Sequence, residues 1–325
     1  MNCMSQQMAG HTGGRLMEQT ASARLKSQRK KRFRQNIPLL ILFVPIILYF
    51  AIFKYAPMLG LVIAFKDYSF RDGILGSPWI GIDNFKLLFD NPMMLEIIRN
   101  TLILSLLNII VGFPFPIMLA ILINEVRKAW FKKTVQTLVY LPHFLNWVII
   151  GGIIVTLFAQ QAGTINLLLE KLTGSIYPFL YNELSWITIY VGSGIWKSMG
   201  WGAIIYLAAL SAISPDLYEA ASIDGASKWR QMWHITLPGI RSTIVLVFIL
   251  SMGNLMEVGF DHVYVLQNSA VSSISEVIST WNYKMGLRGN QFSVGAALGL
   301  FESLIGLIFV ITANRIARRY GESIW

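Results

Sequence analysis

Charged residues are scarce in this 325-residue chain: Asp, Glu, Lys and Arg make up only 14% of it, about half their share in a typical soluble domain. A soluble protein of this length would need more charge to cover its surface. Hydrophobic residues reach 54%, and the mean hydropathy is +0.55. The shortage of charge argues against a soluble enzyme and favours a membrane protein.

Cysteine is nearly absent, since Cys3 is the only one. A single cysteine in a polar leader builds neither a disulfide framework nor a cysteine-based metal site, so redox chemistry is not expected. The four histidines lack metal-ligand spacing such as His-x-x-x-His. We therefore expect no metal site and interpret the histidines as capping or interface residues.

Two catalytic signatures are missing as well. The sequence contains no Gly-Lys dipeptide, which excludes a Walker A phosphate-binding loop. It contains no Gly-x-Ser-x-Gly elbow, and Ser193 lies in an apolar stretch without a plausible His and acid partner. We expect no catalytic residue and no cofactor in this chain, so any ATP and Mg²⁺ would be bound by partner subunits.

Long apolar runs are what the sequence has instead. Six of them approach or reach the roughly 20 residues that a helix needs to span a bilayer. The first is expected to continue, tilted or broken near Pro57, to Phe65, and Pro114, Pro116 and Pro142 predict kinks. The fold class expected is all-α, an integral membrane protein with six transmembrane helices. The predicted spans are Ile37 to Phe53, Thr101 to Ile123, Thr137 to Ala159, Ile187 to Leu210, Ser242 to Val258 and Val294 to Ala313.

Basic residues predict the orientation of these spans. With both termini inside, 18 of the 27 Lys and Arg residues fall on the cytoplasmic side and eight fall outside, with Lys197 inside a span. This bias fits the positive-inside rule. The dense basic run from Arg24 to Arg34 could instead suggest nucleic acid, but nothing beyond it resembles a nucleic-acid module. We interpret residues 1–35 as a disordered cytoplasmic tail held near anionic membrane lipid, and residues 36–325 as the transmembrane domain.

The connection between the fourth and fifth spans, residues 211–241, predicts two short helices around a glycine. Ser214 is a good N-cap, followed by Pro215 at the first helical position. Gly225 ends or bends that helix, and Ser227 can cap a second one. Trp229, Met232 and Trp233 share one face of the second helix, and such a stripe is usually a packing surface.

A specific motif lies in this connection. It consists of Glu219-Ala220-Ala221, three residues, Gly225, nine residues, and Ile235-x-Leu237-Pro238. The motif resembles the EAA signature of the membrane subunits of bacterial binding-protein-dependent ABC importers. Other segments resemble the carbohydrate-uptake branch, especially permeases for oligo- or polysaccharides, and the likeness covers nearly all of residues 37–325. These segments are Ile205-Tyr-Leu-Ala-Ala-Leu210, Leu217-Tyr218, Ile223-Asp-Gly-Ala226 and Arg318-Arg-Tyr-Gly-Glu-Ser-Ile-Trp325.

The resemblance implies a permease core of the type I importer class in the bacterial cytoplasmic membrane. It implies four kinds of partner: a second, homologous permease, two ABC ATPase subunits, an extracytoplasmic solute-binding protein and a saccharide substrate. The EAA loop would be a coupling helix that docks on an ATPase subunit. Small residues would allow close approach and two charges would fix the register. The residues concerned are Glu219, Ala220, Ala221, Asp224, Gly225 and Ala226.

Polar side chains at membrane depth indicate where a substrate pathway could lie. Placing them there costs free energy unless they are buried in the bundle or face a water-filled cavity. Lys197 falls near the middle of the fourth span. Asn254 and Glu257 are predicted on the fifth, where Glu257 or a backbone carbonyl could pair with Lys197. Sugar sites combine aromatic faces with amide and carboxylate groups, although most such side chains serve packing. The pathway candidates are Asn146, Lys197, Met252, Asn254 and Glu257, with Asn108, Trp147 and Trp196 as further residues of the right type.

Two alternatives stay open at this point. The same machinery could carry a non-sugar cargo such as an anionic polymer or a peptide. The chain could also be an intramembrane enzyme or scaffold that carries a helical cytoplasmic loop, an alternative that fits the motif much less well. An enzyme would act alone, whereas a transport subunit would co-purify with a nucleotide-hydrolysing protein.

Overall fold

The computed structural model describes residues 36–319 and Gly321. The predicted tail of residues 1–35 lies outside the described residues. Contacts divide the chain into two units, one that ends at Val62 and one that begins at Ile63. We describe each unit by itself.

The described residues form helices joined by short connections, and they contain no strand beyond an isolated antiparallel bridge between Lys66 and Trp79. Short 3₁₀ turns occur at Leu141–Phe144 and Ser269–Val271, and wide π turns at Met232–Thr236 and Asn282–Leu287. The helices are α1 (Asn36–Phe65), α2 (Gly73–Gly76), α3 (Asp83–Asp90), α4 (Pro92–Glu125), α5 (Ala129–Tyr140), α6 (Trp147–Phe158), α7 (Thr164–Thr173), α8 (Glu183–Ser211), α9 (Pro215–Ile223), α10 (Lys228–Gly239), α11 (Arg241–Gly253), α12 (Phe260–Leu266), α13 (Ser272–Ser275), α14 (Ile278–Trp281) and α15 (Phe292–Arg319).

Three of these helices, α1, α4 and α15, are long and apolar enough to cross a membrane as they stand. Three helix pairs pass the same test only together, and each is bent at a short break. Within the described residues, the helices therefore supply three spans, or up to six if each bent pair is counted as one span. The all-α fold class is confirmed.

The first helix continues to Phe65, as the sequence predicts. Pro57 stands at the start of a helical turn, after a π turn at Ala51–Tyr55, so its missing N–H costs little. The last turns tighten into a 3₁₀ helix over Leu59–Phe65. In α4 the backbone of Phe113 also stays helical, at φ −59° and ψ −38°, so the helix runs on in spite of Pro114 and Pro116.

The predicted third and fifth spans differ from the structure. In place of one helix over Thr137 to Ala159, the chain bends by 103° between Phe144 and Trp147. The bend lies just beyond Pro142, in a 3₁₀ turn, where Asn146 caps the new helix. The fifth predicted span corresponds to α11, which ends at Gly253 rather than Val258. Consecutive turns replace the helical hydrogen bonds after Gly253.

Helix α8 supplies side chains to two core clusters of the second unit. Near its start, Trp186 and Tyr190 pack with residues of α6 and α12. Near its end, Ala203 and Tyr206 pack with Ala120 of α4 and with Ile240. A third cluster joins residues of α3, α4, α14 and α15. The α8 helix therefore connects the two ends of the bundle.

Two glycines let neighbouring segments approach α8 closely. A Cβ on Gly200 would overlap the carbonyl group of Val139, and one on Gly202 would lie 3.1 Å from Cβ and Cγ of Pro116. Small residues at helix contacts are typical of membrane bundles, in which backbones pack at short distance. Any side chain at Gly200 would push α8 away from α5.

The orientation of the spans can be tested with single cysteines in a Cys3→Ser background. We expect Lys171→Cys, on α7, to react with a membrane-impermeant thiol reagent applied from outside intact cells. We expect Lys133→Cys and Arg319→Cys to react only after the membrane is opened, because the positive-inside rule places those basic residues in the cytoplasm. All three side chains are exposed in the structure. Labelling of Lys171→Cys only from the cytoplasm would contradict the topology.

Candidate functional site

The connection between α8 and α11, called the coupling loop here (residues 211–241), contains the two predicted short helices. Ser214 caps α9 by accepting a 3.3 Å hydrogen bond from Asp216 N, and Pro215 is the first helical residue. Ser227 caps α10 and accepts a 3.4 Å hydrogen bond from Arg230 N. These local predictions agree with the structure because capping depends on neighbouring residues.

Gly225 ends α9 in a left-handed conformation, with φ at +74°. The amide of Ala226 donates to the carbonyl of Ala221 at 2.8 Å, and the amide of Gly225 donates to that of Ser222 at 3.1 Å. This pair of bonds is the Schellman motif, which requires a left-handed residue that only glycine adopts at no cost. The glycine of the EAA motif therefore sets the angle between the two helices.

Side-chain hydrogen bonds brace the two helices against each other. Gln231 is buried, and its Nε2 donates to Ser222 Oγ at 2.9 Å and to the carbonyl of Ala226 at 3.2 Å. The hydroxyl groups of Tyr218 and Thr236 lie 3.1 Å apart. The coupling loop is thus a fixed hairpin rather than two independent helices.

The predicted coupling residues line the surface of this hairpin. Glu219, Ala220, Asp224 and Gly225 are exposed, and Ala221 and Ala226 are half-buried. Neither Glu219 nor Asp224 forms an ion pair with any residue in the described part of the chain. Two carboxylates beside small residues are therefore presented outward.

The aromatic stripe of α10 does not pack in this chain, and that prediction is wrong. Trp229 is 70% exposed and Trp233 is 60% exposed, whereas Met232 is half-buried. Lys228 of the same helix does contact another helix of the chain, since its Nζ lies 2.9 Å from Glu125 Oε2 at the end of α4.

A cavity of about 580 Å³, called the central cavity here, lies where several helices are interrupted. It is bordered by Phe113 in α4, by His143 and Trp147 on the two sides of the 103° bend, and by Glu257 and Gly259 after the end of α11. Interrupted helices are tolerated at membrane depth where they line a cavity. The interruptions therefore indicate a functional space.

Lys197 stands near the midpoint of α8 and faces this cavity. Its Nζ donates to the carbonyl of His143 at 2.9 Å and to the carbonyl of Leu145. It also lies 5.5 Å from the ring centre of Trp147. The sequence predicts either Glu257 or a backbone carbonyl as the partner of Lys197. The structure shows backbone carbonyls, and no ion pair among the described residues includes Glu257.

Four aromatic rings from three helices stack beside the cavity. Trp147 lies on His262 with centres 3.5 Å apart, His262 on Tyr190 at 4.1 Å, and Tyr190 on Trp186 at 5.4 Å. Gly194 packs beside the stack, where a Cβ would be in ordinary contact with His262, 3.4 Å from its Cε1. This set, called the ring stack here, was not predicted from sequence.

Polar groups hold the ring stack in place. Trp186 Nε1 donates to the carbonyl of Leu266 at 2.9 Å, and Asn108 Nδ2 donates to the Tyr190 hydroxyl at 3.0 Å. Ser193 Oγ lies 3.0 Å from His262 Nε2. Ser193 and Asn108 are therefore bound to aromatic side chains of the stack.

The structure brings only part of the predicted pathway together. Lys197, Glu257, Asn108 and Trp147 border the central cavity. Asn146 instead caps α6, accepting from Ile149 N at 2.9 Å. Met252 is buried, Asn254 is exposed just beyond α11, and Trp196 lines a separate apolar groove.

An all-helical bundle with a cavity at its broken helices and a rigid hairpin at one end defines a membrane transport subunit. The family described as "Binding-protein-dependent transport system inner membrane component" matches residues 112–322. The chain belongs to this family of multi-pass inner-membrane permeases.

Similar proteins agree with this assignment. The chain is 46% identical to the polygalacturonan/rhamnogalacturonan transport system permease protein YteP of Bacillus subtilis (strain 168), over 91% of this chain and 94% of that protein. It is 45% identical to Protein LplB of the same strain, over 87% and 89%. Among solved structures, it is similar to a bacterial ABC transporter involved in the import of the acidic polysaccharide alginate, with a TM-score of 0.82 and 39% identity over 89% of this chain and 98% of that one. A structure of the alginate transporter with an alginate pentasaccharide-bound periplasmic protein is also similar, with a TM-score of 0.82 and 38% identity over 90% and 98%.

The role of Lys197 can be tested with Lys197→Met. The substitution leaves two carbonyls at the bend without their donor, and an unsatisfied buried acceptor costs about 1–3 kcal/mol. We expect the thermal midpoint of the purified protein to fall while membrane insertion is preserved, since an apolar residue inserts more readily than a charged one.

Glu257→Gln serves as the second arm of a double-mutant cycle. Because Lys197 binds carbonyls, the stability changes should add, and Glu257→Gln should not rescue Lys197→Met. Rescue by Glu257→Gln would contradict the arrangement described here, since it would mean that the two side chains form a charge pair.

Proposed function

We propose that this chain is the translocation subunit of an ATP-driven importer that carries an acidic oligo- or polysaccharide across the bacterial cytoplasmic membrane. The observation that carries the proposal is the coupling loop, a braced hairpin that presents Glu219, Asp224 and small residues outward. An ordinary solvated hairpin does not need two exposed indoles. A surface that docks on a partner accounts for them.

The partner of the coupling loop is an ATPase subunit. The chain lacks a Walker A sequence, so ATP and Mg²⁺ are bound and used elsewhere in the complex. Closure of the ATPases would move the hairpin as one body, because Gln231 and the Schellman motif fix its helices.

The full assembly in this proposal contains a second permease, two ATPase subunits and an extracytoplasmic solute-binding protein. Both termini of the chain lie in the cytoplasm, with the coupling loop on the same side. The binding protein delivers the saccharide to the opposite side. The central cavity then opens alternately to the two sides of the membrane, as in other transporters with broken helices.

An acidic saccharide agrees with the groups that border the central cavity and with the cargo named for similar proteins. Proteins similar to this chain are named for polygalacturonan and rhamnogalacturonan transport or described in alginate import. The ammonium group of Lys197 has three donors, of which two bind carbonyls, so one can bind a sugar oxygen or carboxylate. The parallel rings of His143 and Trp201, 4.5 Å apart, offer an aromatic face for sugar C–H groups.

The coupling assignment is tested with Gly225→Asp in the reconstituted complex. A Cβ at Gly225 meets no atom of this chain within 4 Å, so the added carboxylate would obstruct only a partner. We expect saccharide uptake and ATP hydrolysis stimulated by the binding protein to fall together by roughly tenfold or more, about 1.4 kcal/mol of lost coupling. Saccharide affinity of the binding protein should be unchanged.

Gly174→Asp is a matched control. Gly174 also has a left-handed backbone, with φ at +71°, and also has no atom within 4 Å of a Cβ, but it ends α7. It therefore carries the same backbone strain without lying in the coupling loop. Equal activity of the Gly225→Asp and Gly174→Asp complexes would refute the coupling role, whereas uptake of peptides or non-sugar polyanions instead of saccharides would refute the cargo.

A further inference from the structure

A second cavity, of about 430 Å³, lies beyond α12 and differs from the central cavity in being mostly polar. We call it the outer pocket. Its position follows from two contacts with the start of α8: Asn268 Nδ2 donates to the carbonyl of Leu180 at 2.8 Å, and Ser273 Oγ donates to Glu183 Oε1 at 2.8 Å. Its lining residues are Tyr264, Gln267, Asn268, Ser269, Ser272, Glu276 and Lys284.

The outer pocket lies at the opposite end of the second unit from the coupling loop. The loop follows the last residue of α8, and a 29-residue helix is about 43 Å long. If the coupling loop faces the cytoplasm, the outer pocket therefore opens on the side from which an importer receives its substrate.

Hydrogen bonds fix the charged groups of the outer pocket. Glu276 Oε2 accepts from Lys284 Nζ and from Gln267 Nε2, both at 2.7 Å, and Glu276 Oε1 accepts from Thr280 Oγ1 at 2.9 Å. Lys284 Nζ also donates to Gln267 Oε1 at 3.0 Å. The positive and negative charges cancel, so the pocket is a preorganised polar surface with no net charge.

Several polar groups of the outer pocket remain available for a ligand. The ammonium of Lys284 keeps one N–H, and the hydroxyl groups of Tyr264 and Ser269 have no hydrogen-bond partner within the part of the chain that the structure describes. Beside them, the Tyr264 ring stacks on Phe260 at 5.0 Å and meets the edge of Tyr283 at 5.5 Å. Donors, acceptors and an aromatic surface together match the hydroxyls and C–H faces of a pyranose ring.

We propose that the outer pocket is a saccharide subsite, which binds the hydroxyl groups of one sugar unit while another unit of the same chain lies in the central cavity. The proposal rests on the function proposed above. Helix α12 separates the two cavities: His262 borders the central cavity, and Tyr264, one half-turn further and therefore on the opposite side of the helix, borders the outer pocket. A helix with its side chains is about 10 Å across, so only a chain of more than one unit spans both.

A consequence of this arrangement is a dependence of transport on saccharide length. The outer pocket would add binding only for chains long enough to reach it from the central cavity. A polar network that merely braces the loops would give no such dependence. A surface that docks the solute-binding protein would affect every cargo equally.

Ser269→Trp in the reconstituted complex tests the subsite, because an indole at Ser269 would fill the outer pocket. The matched control is Ala270→Trp, since Ala270 is the next residue, is exposed and does not line the pocket. Uptake is measured for the shortest oligogalacturonide that the parent complex imports and for one several units longer, both at saturating binding protein. We expect Ser269→Trp to lower uptake of the longer chain by roughly fivefold or more, with uptake of the shorter chain unchanged.

Tyr264→Phe is a second variant that keeps the ring packing with Phe260 and Tyr283 and removes only the free hydroxyl. It should lower uptake of the longer chain selectively, by a smaller factor. Equal losses for both lengths, or the same uptake for Ser269→Trp and Ala270→Trp, would overturn the subsite. A parent complex that imports no saccharide would instead refute the proposed function itself, so the two failures are distinguishable.

Discussion

Backbone groups without hydrogen-bond partners are costly inside a bilayer, and the arrangement of the second unit depends on how this cost is avoided. At the 103° bend, the helix releases the carbonyls of His143 and Leu145, and Lys197 of α8 binds both. After α11, short turns pair the backbone groups of the chain with one another, and Ser279 Oγ donates to the carbonyl of Val258 at 3.2 Å. The central cavity exists because both interruptions are stabilised at the same place.

In the coupling loop, hydrogen bonds that satisfy the backbone also make the hairpin rigid. The coupling loop uses two serine caps, one left-handed glycine and the buried Gln231 to satisfy its own backbone and to lock its helices together. Several of its apolar side chains are exposed: Ile223 is 86% exposed, and Trp229 and Trp233 are mostly exposed as well. A rigid hairpin with an apolar, acidic outer surface is suited to transmit force from a partner that covers it.

Features set by neighbours in sequence could be predicted. The caps at Ser214 and Ser227 and the turn at Gly225 depend on a few adjacent residues, and all three agree with the structure. The end of α11 could not be predicted, because neither Asn254 nor Glu257 by itself breaks a helix and the turns that follow Gly253 depend on contacts with residues distant in sequence. The ring stack joins three helices, so no local pattern indicates it, although four aromatic residues among polar ones at membrane depth are a usable signal.

The packing of Trp229 and Trp233 was predicted wrongly for a different physical reason. Periodicity reports that one face of α10 is apolar, but it does not report which chain covers that face. The same holds for Lys197, since the sequence shows a charge that requires a partner and cannot distinguish a carboxylate from a carbonyl. Prediction of the site therefore stops where contacts between distant elements begin.

The ring stack also constrains the order in which the protein can be completed during synthesis. Ser193 and His262 are separated by 69 residues, and Trp186 and Leu266 by 80, yet both pairs are in contact. Contacts of such long range form late, after the segments between them have been made. Trp147, Tyr190 and Lys197 emerge from the ribosome well before His262, so the bend enters the membrane with one side of its aromatic core open. The half-made chain must be sheltered there by lipid or by the insertion machinery until α12 arrives.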